Sequence, residues 1–198
     1  MMTDYNTSII YKLLRILIAD RIVHISDKKE KNVVWVSDLI RCKLKGEYEL
    51  LYTELYDIQP YQVLGYLLHM GLEKFLAMTQ EGMSEYDVEK EIDGVKITGR
   101  IDFLTDDTVY EIKYMRDHRD NKPLEHHVLQ TRIYMWMTDR KKGKIIYVTP
   151  NRIAEYDITD PMNDDEVRIL LEERDKIPRW DWECKYCEWS KICPKAKL

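Results

Sequence analysis

The chain has only seven glycines and two phenylalanines in 198 residues, and no stretch rich in proline, glycine and serine. That scarcity argues against fibrous and disordered chains and leaves no obvious flexible linker between domains. Long apolar runs are missing as well. Ile9 to Ala19 is short and interrupted by Lys12 and Arg15, which reads as neither a membrane span nor a secretory leader, so a cytoplasmic protein with no membrane contact is expected. An excess of positive charge is also absent. A formal charge of -5 argues against a generally basic nucleic-acid coat. It leaves room for an enzyme that gathers carboxylates around a cation and needs only a local basic path to phosphates. Two such paths are Lys113, Arg116, Arg119 and Lys122, and then Arg140, Lys141, Lys142 and Lys144. The alternative for both is a solvated loop.

What is present reads as one globular unit: 44% hydrophobic and 34% charged residues, enough chain for a sizeable core, and one domain spanning 1–198. Apolar residues at helical spacing (Ile9, Leu13, Ile16, Leu17) predict a packing helix from about Tyr5 to Asp20. After a charged loop from Asp27 to Asn32, Ser37 is placed to cap a short helix that delivers Cys42. A helix is expected from Pro60, a good first-turn residue, to about Thr79. It sets Gly65, His69 and Glu73 at successive i, i+4 positions on one face. Strands follow at Tyr86–Ile92, 95–104 and 109–114, then a helix from Pro123 to about Asp139 carrying Gln130 and Tyr134 on one side. Strands over 144–149 and 153–158 and a helix over 161–176 complete an α/β order with a mixed sheet flanked by helices.

The stretch Val95 to Lys113 carries the clearest chemistry. Side chains alternate across a strand, so Val95, Ile97, Gly99, Ile101 and Phe103 share one face and Lys96, Thr98, Arg100, Asp102 and Leu104 the other. A hairpin centred on Asp106 and Asp107 pairs residues whose numbers sum to 213, which sets Asp102 opposite Glu111. Like charges there are destabilising. A divalent cation would compensate them, with Lys113 on the same face as Glu111 and Tyr110 and Ile112 on the other. A charged surface hairpin is the competing reading, and a lone histidine such as His69 is more often a core residue than a ligand.

Cys184, Cys187 and Cys193 form C-x2-C-x5-C followed by Pro194. Closely spaced thiolates repel or cross-link unless a metal takes them. Cys42 is the only other cysteine and supplies a fourth ligand, so zinc and an iron-sulfur cluster are both open. One pair plus two single cysteines, with a proline after the last, favours a [4Fe-4S] cluster over the two close pairs usual for structural zinc. Either would staple the Cys42 region to 180–198.

With these residues in view, the chain resembles the CRISPR-associated RecB-like exonucleases of the PD-(D/E)XK nuclease superfamily. The resemblance rests on Gly65-x-x-x-His69-x-x-x-Glu73, Gly99-Arg100-Ile101-Asp102, Glu111-Ile112-Lys113, Gln130-x-x-x-Tyr134 and the four cysteines, and it covers nearly the whole chain. It implies a restriction-endonuclease-like α/β core. It implies Mn2+ or Mg2+ held by His69, Asp102, Glu111 and the carbonyl of Ile112, with Lys113 orienting water or stabilising charge. Gln130 and Tyr134 would hold the lysine or the DNA backbone. The implied activity is 5′ to 3′ hydrolysis of single-stranded DNA, with some endonuclease action, preparing fragments for CRISPR arrays with the integrase proteins as partners. One departure is Cys42-Lys43, where family members often carry Cys-Pro. The alternative function is a non-catalytic DNA-binding or interaction subunit stabilised by zinc or a cluster.

Overall fold

The computed structural model describes residues 9–27, 32–52 and 59–197. Its helices are α1 (Ile9–Asp27), α2 (Val36–Leu39), α3 (Lys43–Leu51), α4 (Pro60–Thr79), α5 (Glu125–Thr138), α6 (Asp164–Glu172) and the short α7 (Glu183–Tyr186). The strands are β1 (Val33–Trp35), β2 (Met83–Ile92), β3 (Val95–Leu104), β4 (Thr108–Tyr114), β5 (Lys142–Thr149) and β6 (Arg152–Ile158). They form one six-stranded mixed sheet in the order β1-β3-β4-β5-β6, with β2 also paired to β3.

Helices cover both faces of this sheet. One core joins Ile97, Ile101, Leu104, Val109 and Tyr147 to Ile133, Met135 and Met137 of α5 and Val167 and Leu170 of α6. The other joins Phe103, Tyr110, Ile112, Ile146 and Val148 to Leu68, Leu72 and Leu76 of α4. β4 and β5 run parallel, and the chain returns between them through α5, the crossover that parallel neighbours require.

α4 spans the expected residues, with Pro60 in its first turn and Gln59 and Gln62 forming a capping box. Elsewhere three expectations change. The predicted start of α1 near Tyr5 and most of the Asp27–Asn32 loop lie outside the described residues. Ile9 and Ile16 of α1 are exposed rather than packed. Ser37 lies inside α2, whose N-cap is Trp35, and Cys42 is itself the N-cap of α3, a helix that weak apolar periodicity conceals. Where Pro123 and Pro161 were expected to open α5 and α6, these begin at Glu125 and Asp164, the latter behind an Asn163–Glu166 capping box.

The decisive feature is the edge of β3. β2 pairs with β3 along its whole length, so β1 and β4 must share the opposite edge. β1 covers Lys96–Thr98 and β4 covers only Phe103 and Leu104. Gly99-Arg100-Ile101-Asp102 therefore has no strand on that edge. Buried backbone groups demand partners, and α5 supplies one from outside the sheet. The Tyr134 hydroxyl, itself bonded to Gln130, meets the Arg100 backbone.

Candidate active site and thiol chamber

The 213 register holds where β3 and β4 pair, at Phe103 with Tyr110 and Leu104 with Val109. It does not continue to Asp102 and Glu111, because the strands part there. The Asp102 carboxylate instead accepts the backbone N–H of Ile112 at 2.5 Å. On the other edge of β3, the ladder with β2 skips Glu85 and Asp102 and then resumes in the same register. Glu85 adopts φ +49°, a left-handed conformation unfavourable for a non-glycine residue.

This interruption corrects the simple alternation. Ile97 and Ile101 belong to the α5 core as a pair, but Phe103 moves to the α4 core and Leu104 to the α5 core. Asp102 stands at the break, and its carboxylate meets both the Ile112 amide and His69 of α4. Tyr110 and Ile112 point to the α4 core as expected, and Val109 to the α5 core. Glu111 and Lys113 alternate with Tyr110 and Ile112 and so follow Val109.

The site is built around His69. Its Nε2 lies 3.0 Å from Asp102 Oδ2, while Nδ1 lies 3.3 Å from Glu73 Oε1 and 3.5 Å from Glu85 Oε1. His69, Glu73 and Glu85 bring one ligand atom each within 4.8 Å of one another. Glu73 follows from the α4 spacing. Glu85 had no sequence signal: it sits among charged strand residues, and its positive φ has no signature in the local sequence.

Glu111 is fully buried, 0% exposed, beside Lys113. The Lys113 ammonium sits against Oε1 of Glu111 as an ion pair, and Oε1 of Glu73 faces His69 Nδ1 at 3.3 Å, while Oε2 of Glu111 has no hydrogen-bond partner among the described residues. Buried carboxylates left so are costly, and a cation is the usual remedy. Burial first, then the Asp102 charge, raise Glu111 to about 7. Burial and the hydrogen bond with Glu85 raise Glu73 to about 8. Burial opposes the imidazolium of His69, but the hydrogen bond to Asp102 and the surrounding carboxylates outweigh it and raise His69 to about 9. Burial likewise opposes the Lys113 ammonium, and Glu111 and Asp102 overcome it, so the lysine stays charged.

Two motif residues are buried. Tyr134 is 3% exposed, and its hydroxyl meets the β3 backbone at Arg100. A Cβ on Gly99 would come within 2.7 Å of Tyr134 Cε1 and 3.0 Å of both its hydroxyl and Val36 Cγ2. The glycine is there to admit the tyrosine. Gly99→Ala is therefore expected to destabilise the protein by about 1–3 kcal/mol, read by denaturant unfolding. Wild-type stability would show that Tyr134 does not brace β3 at this contact. Gly65 is less demanding, since its Cβ would make only ordinary contact with Tyr114 at 3.6 Å.

Of the two basic stretches, the second is largely neutralised: Lys142 pairs with Asp107, and Lys144 with Glu155 and Asp157. In the first, Lys113 pairs with Glu111 and Arg119 with Asp117.

All four cysteines, none disulfide-bonded, line one cavity of about 250 Å³ together with Lys45, Tyr48, His126 and Trp182. Ordinary contacts already fasten its two walls. Glu183 accepts the Cys42 N–H at 2.8 Å, and Trp180 Nε1 donates to the Ile40 carbonyl at 2.7 Å. Burial pushes the Cys42 and Cys187 thiols up, toward the neutral form.

Comparison with known proteins places the family and the fold. The sequence profile of the PD-(D/E)XK nuclease superfamily matches residues 63–194. A CRISPR-associated exonuclease Cas4 from Saccharolobus solfataricus is 40% identical, the match covering 88% of this chain and 93% of that protein. The crystal structure of SSO0001 superposes with a TM-score of 0.82 at 37% identity, covering 94% of this chain and 98% of that one. The alkaline exonuclease of Laribacter hongkongensis shares the fold alone, with a TM-score of 0.51 at 16% identity over 72% of this chain and 84% of that one. No described helix is long and apolar enough to cross a membrane. The chain is a nuclease and belongs to the CRISPR-associated exonucleases of the PD-(D/E)XK superfamily.

Proposed function

We propose that this nuclease hydrolyses single-stranded DNA from an end, 5′ to 3′, and trims fragments for insertion into CRISPR arrays alongside integrase proteins. The observation that carries the catalytic reading is the parted β3–β4 edge. It brings Asp102 against His69 beside the buried pair of Glu111 and Lys113, and Oε2 of Glu111 there has no hydrogen-bond partner among the described residues. Their chemistry fits Mn2+ or Mg2+ held by His69 Nε2, Asp102, Glu111 and the Ile112 carbonyl. A cation held there supplies charge to the scissile phosphate and acidifies a water. Glu73 and Glu85 face His69 Nδ1 and would fix the ring, as carboxylates behind a ligating histidine do. Lys113 keeps its proton and would orient the water or meet growing negative charge. Gln130 and Tyr134 would act by holding β3 in place.

The thiol chamber supports a [4Fe-4S] cluster on Cys42, Cys184, Cys187 and Cys193. Single zinc ions need four sulfurs at about 2.3 Å from one centre. All four cysteines line one chamber, as a shared group needs, and Lys45 and Lys195 on its wall would offset the charge of a cluster held by four thiolates. On this reading 1–198 is one nuclease domain whose cluster portion comprises 180–198 and the Cys42 region.

The test is cleavage of end-labelled single-stranded DNA against titrated Mg2+ or Mn2+ from pH 6 to 9. Cleavage should require the cation and release product from the 5′ end. His69, Glu73 and Glu111 all titrate above their ordinary values, so bound protons compete with the cation more strongly at lower pH. The half-saturating cation concentration should therefore fall as pH rises. Cation-independent cleavage, or a pH trend of the opposite sign, is incompatible with this ligand set.

A further inference from the structure

Tyr61, Gly65, His69 and Glu73 recur every four residues, so the face of α4 that carries the ligands continues past Gly65 to Tyr61. The same happens on β4. It presents Glu111 and Lys113, ends at Tyr114, and is followed two residues later by Arg116. The two elements approach each other at Gly65, where the Tyr114 Cβ comes within 3.6 Å of an added Cβ. Beyond that point they bring Arg116 to Tyr61, the guanidinium carbon 5.2 Å from the ring centroid.

Among the described residues Arg116 makes no ion pair, whereas Lys113, Arg119, Lys142 and Lys144 are all engaged by carboxylates. Tyr61 is 44% exposed although aromatic. A cation stacked on an exposed ring offers a phosphate contact and a flat surface together, the combination that proteins use to hold unpaired nucleotides. At 1.5 Å per residue, the eight residues from His69 to Tyr61 span about 12 Å. With stacked nucleotides 3.4 Å apart, that is about three nucleotides.

We infer that Tyr61 and Arg116 form a nucleotide subsite, in which Tyr61 stacks on an unpaired base about three nucleotides from the scissile phosphate and Arg116 contacts the adjoining phosphate. This rests on the nuclease reading of the His69 site. Duplex bases are already stacked on their neighbours, so the subsite selects single strands.

The experiment measures binding of a fluorescent single-stranded oligonucleotide in EDTA, and its cleavage with Mn2+, for wild type, Tyr61→Phe, Tyr61→Ala and Arg116→Gln. Each is also tested on oligonucleotides with one abasic position walked along the strand. Tyr61→Ala should weaken single-strand binding about five- to 150-fold and leave duplex binding unchanged, while Tyr61→Phe binds like wild type. One abasic position, about three nucleotides from the cut, should weaken wild type and leave Tyr61→Ala unaffected. Arg116→Gln should flatten the logarithmic salt dependence by about 0.7. Equal abasic penalties in wild type and Tyr61→Ala, or unchanged binding by Tyr61→Ala, overturn the subsite. If wild type itself fails to cut single strands with Mn2+, the nuclease reading fails first.

Discussion

Replacing Asp102 by alanine is expected to lower DNA cleavage by about a thousandfold or more. Charge stabilisation of this kind is worth several kcal/mol, and 1.36 kcal/mol is tenfold in rate. The substitution removes more than a ligand. Asp102 also accepts the Ile112 N–H, which has no strand partner where β3 and β4 part, and it stands against His69. An alanine effect could therefore be structural. Asp102→Asn separates the two causes, because its side-chain oxygen still accepts the amide while its charge is gone. The expected result is an asparagine protein that melts close to wild type and cleaves as poorly as the alanine protein. Recovery of wild-type cleavage by Asp102→Asn would mean that the carboxylate serves the fold and holds no cation. Lys113 is a less direct probe. Its ammonium sits against the fully buried Glu111, and removing one member of a buried pair leaves the other uncompensated at about 3–5 kcal/mol.

Substituting Cys184 by serine should remove the broad visible absorption of an iron-sulfur protein and lower the melting temperature by about 10–20 °C. Cys184 is the buried member of the thiol chamber, and a group bound there ties it to Cys42, on the far side of α4, the sheet and α5 in chain order. A cross-link closing a loop of that length limits the unfolded chain by about 5 kcal/mol. In a protein of this size each kcal/mol moves the midpoint about 2–4 °C. Iron analysis and the spectrum of protein purified without oxygen provide the direct measurement. A colourless wild-type protein that contains zinc would replace the cluster with a single ion. A Cys184→Ser protein with unchanged melting temperature would deny the chamber any stapling role. The direct bonds from Glu183 to Cys42 and from Trp180 to Ile40 keep the walls together in part, and they set the remaining stability.

The amino-acid sequence by itself determined the order of the helices and strands from α4 to α6, the span of α4, the local register of the β3–β4 hairpin and the shared helix face of His69 and Glu73, but not β1, α3 or Glu85. These depend on short-range physics: helical spacing, strand alternation, a proline in a first turn and metal-ligand spacing within a few residues. It also placed Tyr110 and Ile112 away from Glu111 and Lys113, as the two cores bear out. Only the tertiary structure decided that alternation breaks at Asp102. That break needs β1 and β4 to share one edge of β3 without covering it, and it needs Glu85 in a left-handed conformation across the strand. Neither leaves a periodic trace in the chain. The same holds for the contact of Tyr134 with the open edge of β3 through the space over Gly99, which the family resemblance, with its role for this tyrosine at the lysine or DNA, does not specify. Local sequence can state which groups lie on one face; which unpaired backbone they must satisfy depends on strands that are distant in sequence and adjacent only after folding.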